Sequence, residues 1–88
     1  MNATVINGAR MTDRAAAHAE LARALKLPPH YGANLDALWD EVSCMRADVT
    51  LVHPAVLLNS LGIYGCKLLQ TLYEAAEENS DFHFHTQD

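Results

Sequence analysis

The chain has 88 residues, of which 50% are apolar and 19% are charged, and its formal net charge is -5. This composition is typical of a globular protein and argues against intrinsic disorder. The acidic balance argues against a nucleic-acid-binding protein, because such proteins gain affinity by neutralising phosphates with a basic surface. We expect one domain over residues 1–88, which buries only about 60–65% of the surface of its unfolded chain.

The first two predicted elements are a strand and a helix. Thr4–Ile6 is short and β-branched, and the turn dipeptide Asn7–Gly8 ends it, so it is predicted to be a strand. Thr12 or Asp13 can cap a helix that runs to about Leu25. The inward face of this helix is expected to carry Ala17, Leu21 and Leu25.

A stiff loop and a strongly amphipathic helix come next. Pro28 and Pro29 end the first helix, and Asn34, a preferred N-cap residue, begins a second helix that runs to about Ser43. Its apolar residues at i, i+3, i+4 and i+7 form one stripe: Leu35, Leu38, Trp39 and Val42. Asp36 and Asp40 lie side by side on another face, and no Lys or Arg occurs between Lys26 and Arg46. Together with the rings of Tyr31 and Trp39, these acids predict a surface for a positively charged partner.

The rest of the chain alternates strands and helices. The predicted elements are a strand at Val49–Val52, a short helix at Ala55–Leu61, a long helix at Gly65–Asn79 and a third strand at Asp81–His85. The long helix is expected to face inward with Leu68, Leu69, Leu72 and Ala76. Because helices separate all strands, the pattern predicts an α/β fold with a small parallel sheet, right-handed crossovers and the order β-α-α-β-α-α-β.

The sequence contains no segment that favours export or insertion into a membrane. Met1–Ile6 has no basic segment and no long apolar run, so we expect no signal peptide. No stretch approaches the roughly 18 apolar residues of a membrane span. Cys44 and Cys66 are therefore expected to be reduced thiols at core or boundary positions of a cytoplasmic protein.

The run Leu27–Asp40 resembles the signature of the barstar family, small bacterial inhibitors of a secreted guanyl-type ribonuclease. The family pattern Leu-Pro-x-Tyr-Tyr-Gly-x-Asn-Leu-Asp-Ala-Leu-Trp-Asp is met with one substitution, His30 for the first Tyr. Weaker support comes from Val5–Gly8 and from the segment 70–81, whereas residues 44–66 show almost no resemblance. The resemblance implies a single barstar-like domain, in which about four helices pack around a three-stranded parallel sheet.

The resemblance also implies a function and a set of contact residues. In that family the loop and the second helix plug the active site of the nuclease, so an inhibitor is implied, without catalysis or cofactor. Asp40 would take the place of a substrate phosphate, Asp36 would pair with a partner arginine, and His30 would stack on the catalytic His in place of a tyrosine. The other implied partner-binding residues are Tyr31, Gly32, Asn34, Trp39, Ser43, Glu74 and Glu78.

Three departures from the family pattern concern the contact surface. His30 replaces a tyrosine with a side chain that can carry a positive charge, and a protonated ring would weaken binding to a cationic active site. Glu41 adds a third carboxylate to the second helix. Cys44 and Met45 replace a Gly and an aromatic residue where that helix ends.

Other interpretations stay open from the residues alone. Two acids near a helix N-terminus are also typical of an ordinary solvated face. Trp39 fits a mostly buried ring equally well, and Tyr31 fits a loop closed against its own helix. A small enzyme with Asp36 and Asp40 as an acid–base pair beside His30 is disfavoured, because no nucleophile, oxyanion loop or cofactor motif accompanies them. A binding module for a different basic protein or toxin is the remaining alternative.

The histidines raise the question of a metal site. His83 and His85 share one face of the third strand, but a stable zinc site needs three or four converging ligands. We expect them on the solvent side, opposite Phe82 and Phe84, with no metal bound. His18 and His53 are expected at ordinary surface or edge positions. The leading hypothesis is a cytoplasmic protein, monomeric when free, that binds a basic ribonuclease and neither nucleic acid nor membrane.

Overall fold

A computed structural model describes residues 3–88. In this part of the chain the elements follow the predicted order: β1 (Ala3–Asn7), α1 (Arg14–Leu25), α2 (Leu35–Val42), β2 (Ala47–Val52), α3 (Pro54–Leu61), α4 (Ile63–Glu78) and β3 (Phe82–Gln87). A one-turn 3-10 helix at Gly8–Arg10, which the sequence analysis did not predict, follows β1. The long helix begins at Ile63 rather than Gly65, because Gly62 already ends the preceding helix.

The three strands form one parallel sheet with β2 in the centre. Ile6 of β1 pairs with Leu51 of β2, and Val49 of β2 pairs with Phe84 of β3. The predicted α/β fold with a three-stranded parallel sheet and four α-helices is therefore confirmed.

The sheet buries only one of its faces. Along the strands, buried apolar residues alternate with half-buried or exposed ones, as the period of two requires. The buried set is Ile6, Val49, Leu51, Phe82 and Phe84. On the opposite face Val5 is 53% exposed, and His83 and His85 are exposed. The prediction that these two histidines face solvent is confirmed. We call this uncovered side the outer sheet face.

The covered face of the sheet shares one apolar core with all four α-helices. Each helix contributes at least one fully buried leucine: Leu21, Leu38, Leu57, Leu68 and Leu72. On α4 the innermost alanine is Ala75, whereas Ala76, predicted to face inward, is half-buried. Among the residues described, no helix is long and apolar enough to cross a membrane.

Local signals in the sequence explain where the helices begin. The Asp13 side chain accepts a hydrogen bond from the Ala16 amide at 2.7 Å, and the Asn34 side chain accepts one from the Ala37 amide at 2.7 Å. Each cap satisfies a backbone donor that the first turn of a helix leaves without a partner. Both predicted N-caps are therefore confirmed.

The two cysteines do not lie where the sequence analysis placed them. Cys44 and Cys66 are both free and exposed rather than at core or boundary positions. Cys44 lies in the turn after α2, where its thiol donates to the Asp40 carbonyl at 3.2 Å. Cys66 precedes the buried Leu68 by two residues, which turns it by about 200° from the inward face of α4.

Candidate partner-binding surface

The loop Lys26–Asn34 is short and turns tightly between α1 and α2. The Leu27 amide donates to the Ala22 carbonyl at 3.0 Å, and the Tyr31 amide donates to the Pro28 carbonyl at 3.0 Å. Ala33 adopts a left-handed conformation, with φ of 54°, immediately before the cap residue Asn34. The loop leaves His30 and Gly32 exposed.

Tyr31 is tied to the body of the protein through a buried histidine. Its hydroxyl group lies 2.7 Å from Nδ1 of His18, and Nε2 of His18 lies 2.6 Å from the hydroxyl of Tyr64. A neutral imidazole has one donor and one acceptor, so one tyrosine donates to the ring and the other accepts from it. The Tyr31 ring is half-buried, and its hydrogen bond to His18 ties the loop to α1.

The expectation that His18 lies at the surface was wrong, because only 2% of this residue is exposed. Its position between Ala17 and Leu21, which both face the core, is a signal that could have placed it at the edge of the apolar face of α1. Desolvation by burial lowers the pKa of His18. Burial, and then the nearby Tyr64 and Glu41, raise the pKa of Tyr31 well above its usual value. Both side chains are therefore neutral near pH 7.

The two aspartates of α2 point outward from a helix that its cap residue fixes. Asp36 lies in the first turn, where the helix dipole favours a negative charge, and both Asp36 and Asp40 are exposed. Within residues 3–88 the ion pairs between Arg or Lys and carboxylates are Arg23–Glu20 and Arg46–Asp81, and His85 lies 3.8 Å from Asp48. The aspartates of α2 are thus not neutralised by the described cations of the chain.

A cleft of about 360 Å³ lies between α2 and α4. Its lining consists of Leu35, Asp36, Trp39, Thr71, Glu74 and Glu78. We call it the acidic cleft, because three of these six residues carry carboxylates. The fold thereby brings together four of the predicted site residues, Asp36, Trp39, Glu74 and Glu78, from two helices that are distant in sequence.

Two residues of the acidic cleft were not predicted as site residues. Leu35 was assigned only to the apolar stripe, and Thr71 was not considered. Thr71, Glu74 and Glu78 are spaced at i, i+3 and i+7, so helical periodicity places all three on one face of α4. That spacing is the signal that could have found Thr71.

Trp39 combines the two roles that the sequence left open. Its side chain is half-buried and packs against the core, and it also lines the acidic cleft. An indole in this position offers an apolar body to the core and a ring to a ligand.

The remaining predicted site residues lie outside the acidic cleft. His30, Gly32 and Asn34 are exposed on the loop, Asp40 is exposed one turn beyond Asp36, and Ser43 is half-buried at the end of α2. The exposure of both α2 aspartates argues against a catalytic acid–base pair, whose members need distinct, sheltered environments. Among the described residues, no group of three or more potential ligands could hold a metal ion.

Comparison with known proteins agrees with the fold and the motif. The family described as Barstar (barnase inhibitor) matches residues 1–87. A protein of Bacillus subtilis (strain 168), named "Putative ribonuclease inhibitor YrdF", is 36% identical over 87 residues, and the match covers 92% of each chain. Both matches include the loop, α2 and α4, and on this evidence the chain belongs to the barstar family.

Proposed function

We propose that this chain inhibits a basic ribonuclease by covering its active site with the Lys26–Asn34 loop, α2 and the acidic cleft. The observation that carries the proposal is the grouping of carboxylates on one side of the molecule, where the described ion pairs leave them free. Membership of the barstar family and the name of the Bacillus subtilis relative support the same class of partner.

The chemistry of the acidic cleft fits an arginine side chain. A guanidinium group is planar, carries five donors and stacks on aromatic faces. Here Asp36, Glu74 and Glu78 supply acceptors, and Trp39 supplies an aromatic ring beside them. A lysine could satisfy the charge, but its ammonium group lacks the planar fork that matches carboxylates and stacks flat on an aromatic ring.

Asp40 has a different role in the proposal. Ribonucleases bind the phosphate of their substrate with cationic side chains, and an exposed carboxylate can occupy that place. In the barnase–barstar complex, close charge pairs couple by about 1.5–7 kcal/mol, a range that belongs to that complex rather than to this chain. The match of Asp40 to the family pattern supports its place at the centre of the contact.

The family resemblance implies a guanyl-specific nuclease as the partner. We also propose a monomeric free form that acts in the cytoplasm of the producing cell. The alternative is a barstar-like binding module for another basic protein. Recovery of a basic protein without nuclease activity from the native host would favour that alternative.

Two matched substitutions test the proposal. Asp40→Ala is expected to weaken binding to a ribonuclease by at least about 30-fold, the usual threshold of a hot-spot residue. Glu77→Ala removes an equal charge from an exposed position on α4 outside the acidic cleft, and it should cost less than about threefold. Calorimetry with barnase, and separately with any ribonuclease encoded beside this gene, measures both values.

A stability measurement is the control for this pair. Both residues are exposed, so each variant should melt within about 4 °C of the unmodified protein. Equal losses of affinity in the two variants would remove Asp40 from the centre of the interface. Failure of the unmodified chain to protect cells that co-express the ribonuclease would contradict inhibition itself.

A further inference from the structure

We propose that Asn79 is a positioning residue that sets the geometry of the acidic cleft by fastening the end of α2 to the end of α4. The inference rests on the proposed function in one respect, since it assumes that the cleft receives a side chain of the partner. Asn79 is not among the residues that line the cleft. Its effect on binding would therefore pass through the helices that it joins.

The side chain of Asn79 bridges three segments of the chain. Its amide nitrogen donates to the Met45 carbonyl at 2.8 Å and to the Val42 carbonyl at 3.2 Å. Its side-chain oxygen accepts from the Asp81 amide at 3.0 Å. Val42 is the last residue of α2, and Met45 lies in the turn that follows. Two donors and one acceptor of the carboxamide are thus used within the chain.

The backbone of Asn79 is fixed as firmly as its side chain. As the C-cap of α4, it donates from its amide to the Ala75 carbonyl at 2.8 Å, and its own carbonyl accepts from the Phe82 amide at 3.0 Å. The bridge therefore starts from a rigid point. Any movement of Val42 relative to α4 would stretch or break hydrogen bonds of known direction.

The other contacts between the two helices do not fix their relative position in this way. Leu38 and Val42 of α2, and Leu72 and Ala75 of α4, belong to the apolar core. Apolar burial is non-directional, whereas a hydrogen bond weakens steeply when its length or angle departs from the preferred geometry. Among the side-chain hydrogen bonds described for residues 3–88, those from Asn79 are the ones that join α2 and its turn to the end of α4.

The acidic cleft lies where such a tilt would matter. Asp36 is six residues from Val42, or about 9 Å along the helix axis, whereas Glu78 is the immediate neighbour of Asn79. A rotation of α2 about its end would change the spacing of Asp36 from Glu74 and Glu78. Recognition of a charged group requires its ligands to be held within about 0.5 Å of the productive geometry.

Hydrogen exchange measured by NMR tests the positioning role without a partner. In Asn79→Ala, the amides of α2 are expected to exchange at least about tenfold faster, while those of Leu68–Ala75 in α4 change by less than about threefold. The control is Tyr73→Phe, which removes a 3.3 Å hydroxyl contact between α4 and Thr86 of β3 and leaves α2 alone. Unchanged exchange in α2, or equal acceleration in both helices, would overturn the proposal.

Binding kinetics test the consequence for the cleft, with barnase as the probe. Asn79→Ala should raise the dissociation rate at least about tenfold and change the association rate by less than about threefold. Asn79→Asp keeps the shape but replaces the donors with a carboxylate facing two carbonyl oxygens, so it should behave like Asn79→Ala. A dissociation rate that stays within threefold in both variants would overturn the proposal.

A double-mutant cycle separates positioning from a general loss of stability. The effect of Glu74→Gln on affinity should be smaller in the Asn79→Ala background than in the unmodified protein. Ile6→Val, in the buried part of β1, lowers stability at a residue outside α2 and α4, and it should combine additively with Glu74→Gln. Additive behaviour of Asn79→Ala and Glu74→Gln would contradict the proposal.

The exchange measurement and the barnase-binding measurement test the role of Asn79 and the proposed function separately. If barnase does not bind the unmodified chain, the guanyl-specific form of the proposed function fails. The exchange measurement then still decides whether Asn79 holds α2 in place.

Discussion

His18 shows how one buried polar side chain can fix a loop that apolar packing leaves loosely supported. A groove of about 400 Å³ lies between α1 and the loop, and its α1 side is lined by small residues such as Ala15, Ala19 and Ala22. These methyl groups give the loop little to pack against. The short hydrogen bond between His18 and Tyr31 is directional, so it fixes the position of the loop where apolar packing does not.

The burial of His18 predicts a pH dependence of stability. Because burial lowers its pKa below the ordinary value of 6.5, the unfolded chain binds a proton at a higher pH than the folded chain. The unfolding free energy should therefore be unaffected by His18 above pH 6.5 and should fall as the pH drops below it. The slope for one proton is at most about 1.4 kcal/mol per pH unit. Urea denaturation at several pH values measures it.

A substitution isolates this contribution. His18→Gln keeps one donor and one acceptor but does not titrate, so the variant should lose less stability than the unmodified protein between pH 7 and 5.5. This window lies above the range of Glu20, whose pKa the Arg23 hydrogen bond lowers from 4.5. An equal loss of stability in both proteins over this pH range would contradict a role for His18 in the pH dependence.

At the scale of elements, the contact between the 3-10 helix and the end of β2 depends on a glycine. A Cβ atom added at Gly8 would lie 2.4 Å from the His53 carbonyl oxygen and 2.8 Å from that of Val52. Both are backbone atoms, which cannot move aside as a flexible side chain can. The close approach of these two segments, rather than an unusual φ angle, is therefore what requires glycine here.

Gly8→Ala is expected to lower the unfolding free energy by about 1–3 kcal/mol, the usual cost of forcing an extra group into a packed site. Chemical denaturation measures this change. Ala9→Ser adds one atom to the exposed neighbouring residue, and it should change stability by less than about 0.5 kcal/mol. Similar losses in both variants would mean that the 3-10 helix, rather than the contact, is sensitive to substitution.

At the scale of the whole molecule, charge is divided along the chain. Residues 1–33 carry four basic and two acidic side chains, a net charge of +2, whereas residues 34–88 carry two basic and nine acidic side chains, a net charge of -7. The acidic cleft and Asp40 belong to the negative part. Such asymmetry attracts a basic protein from a distance and orients it toward the acidic side.

This asymmetry predicts salt-sensitive association with a basic ribonuclease. Raising NaCl from about 20 mM to about 500 mM should lower the association rate at least about tenfold, because screening shortens the range of the attraction. The dissociation rate should change much less. Stopped-flow fluorescence measures both rates, and Glu74→Gln should make the salt dependence shallower. An association rate independent of salt would contradict electrostatic steering.

The sequence predicted those features that depend on residues a few positions apart in the chain. The caps Asp13 and Asn34 and the alternation of Phe82 with His83 are local signals, and the structure confirms them. The buried network of His18 was not predictable in this way, because its partners lie 13 and 46 residues away. The same holds for Asn79, whose carbonyl partners are 34 and 37 residues distant.

The site was predicted in part for the same reason. Asp36 and Asp40 were found from spacing on one helix, and Glu74 and Glu78 only through the family resemblance. The arrangement of Asp36, Glu74 and Glu78 around one cleft depends on how α2 packs against α4, which no local pattern encodes. Thr71 shows that helical periodicity could have extended the prediction by one residue.

The outer sheet face gives the molecule a side on which attachments should be harmless. Val5, His83 and His85 project there, on the opposite side of the strands from the helices that carry the acids. A dye or a tether to a sensor surface at this position would leave the proposed partner-binding side free. Immobilised molecules would then all present the same orientation, which is the arrangement that single-molecule force or binding measurements need.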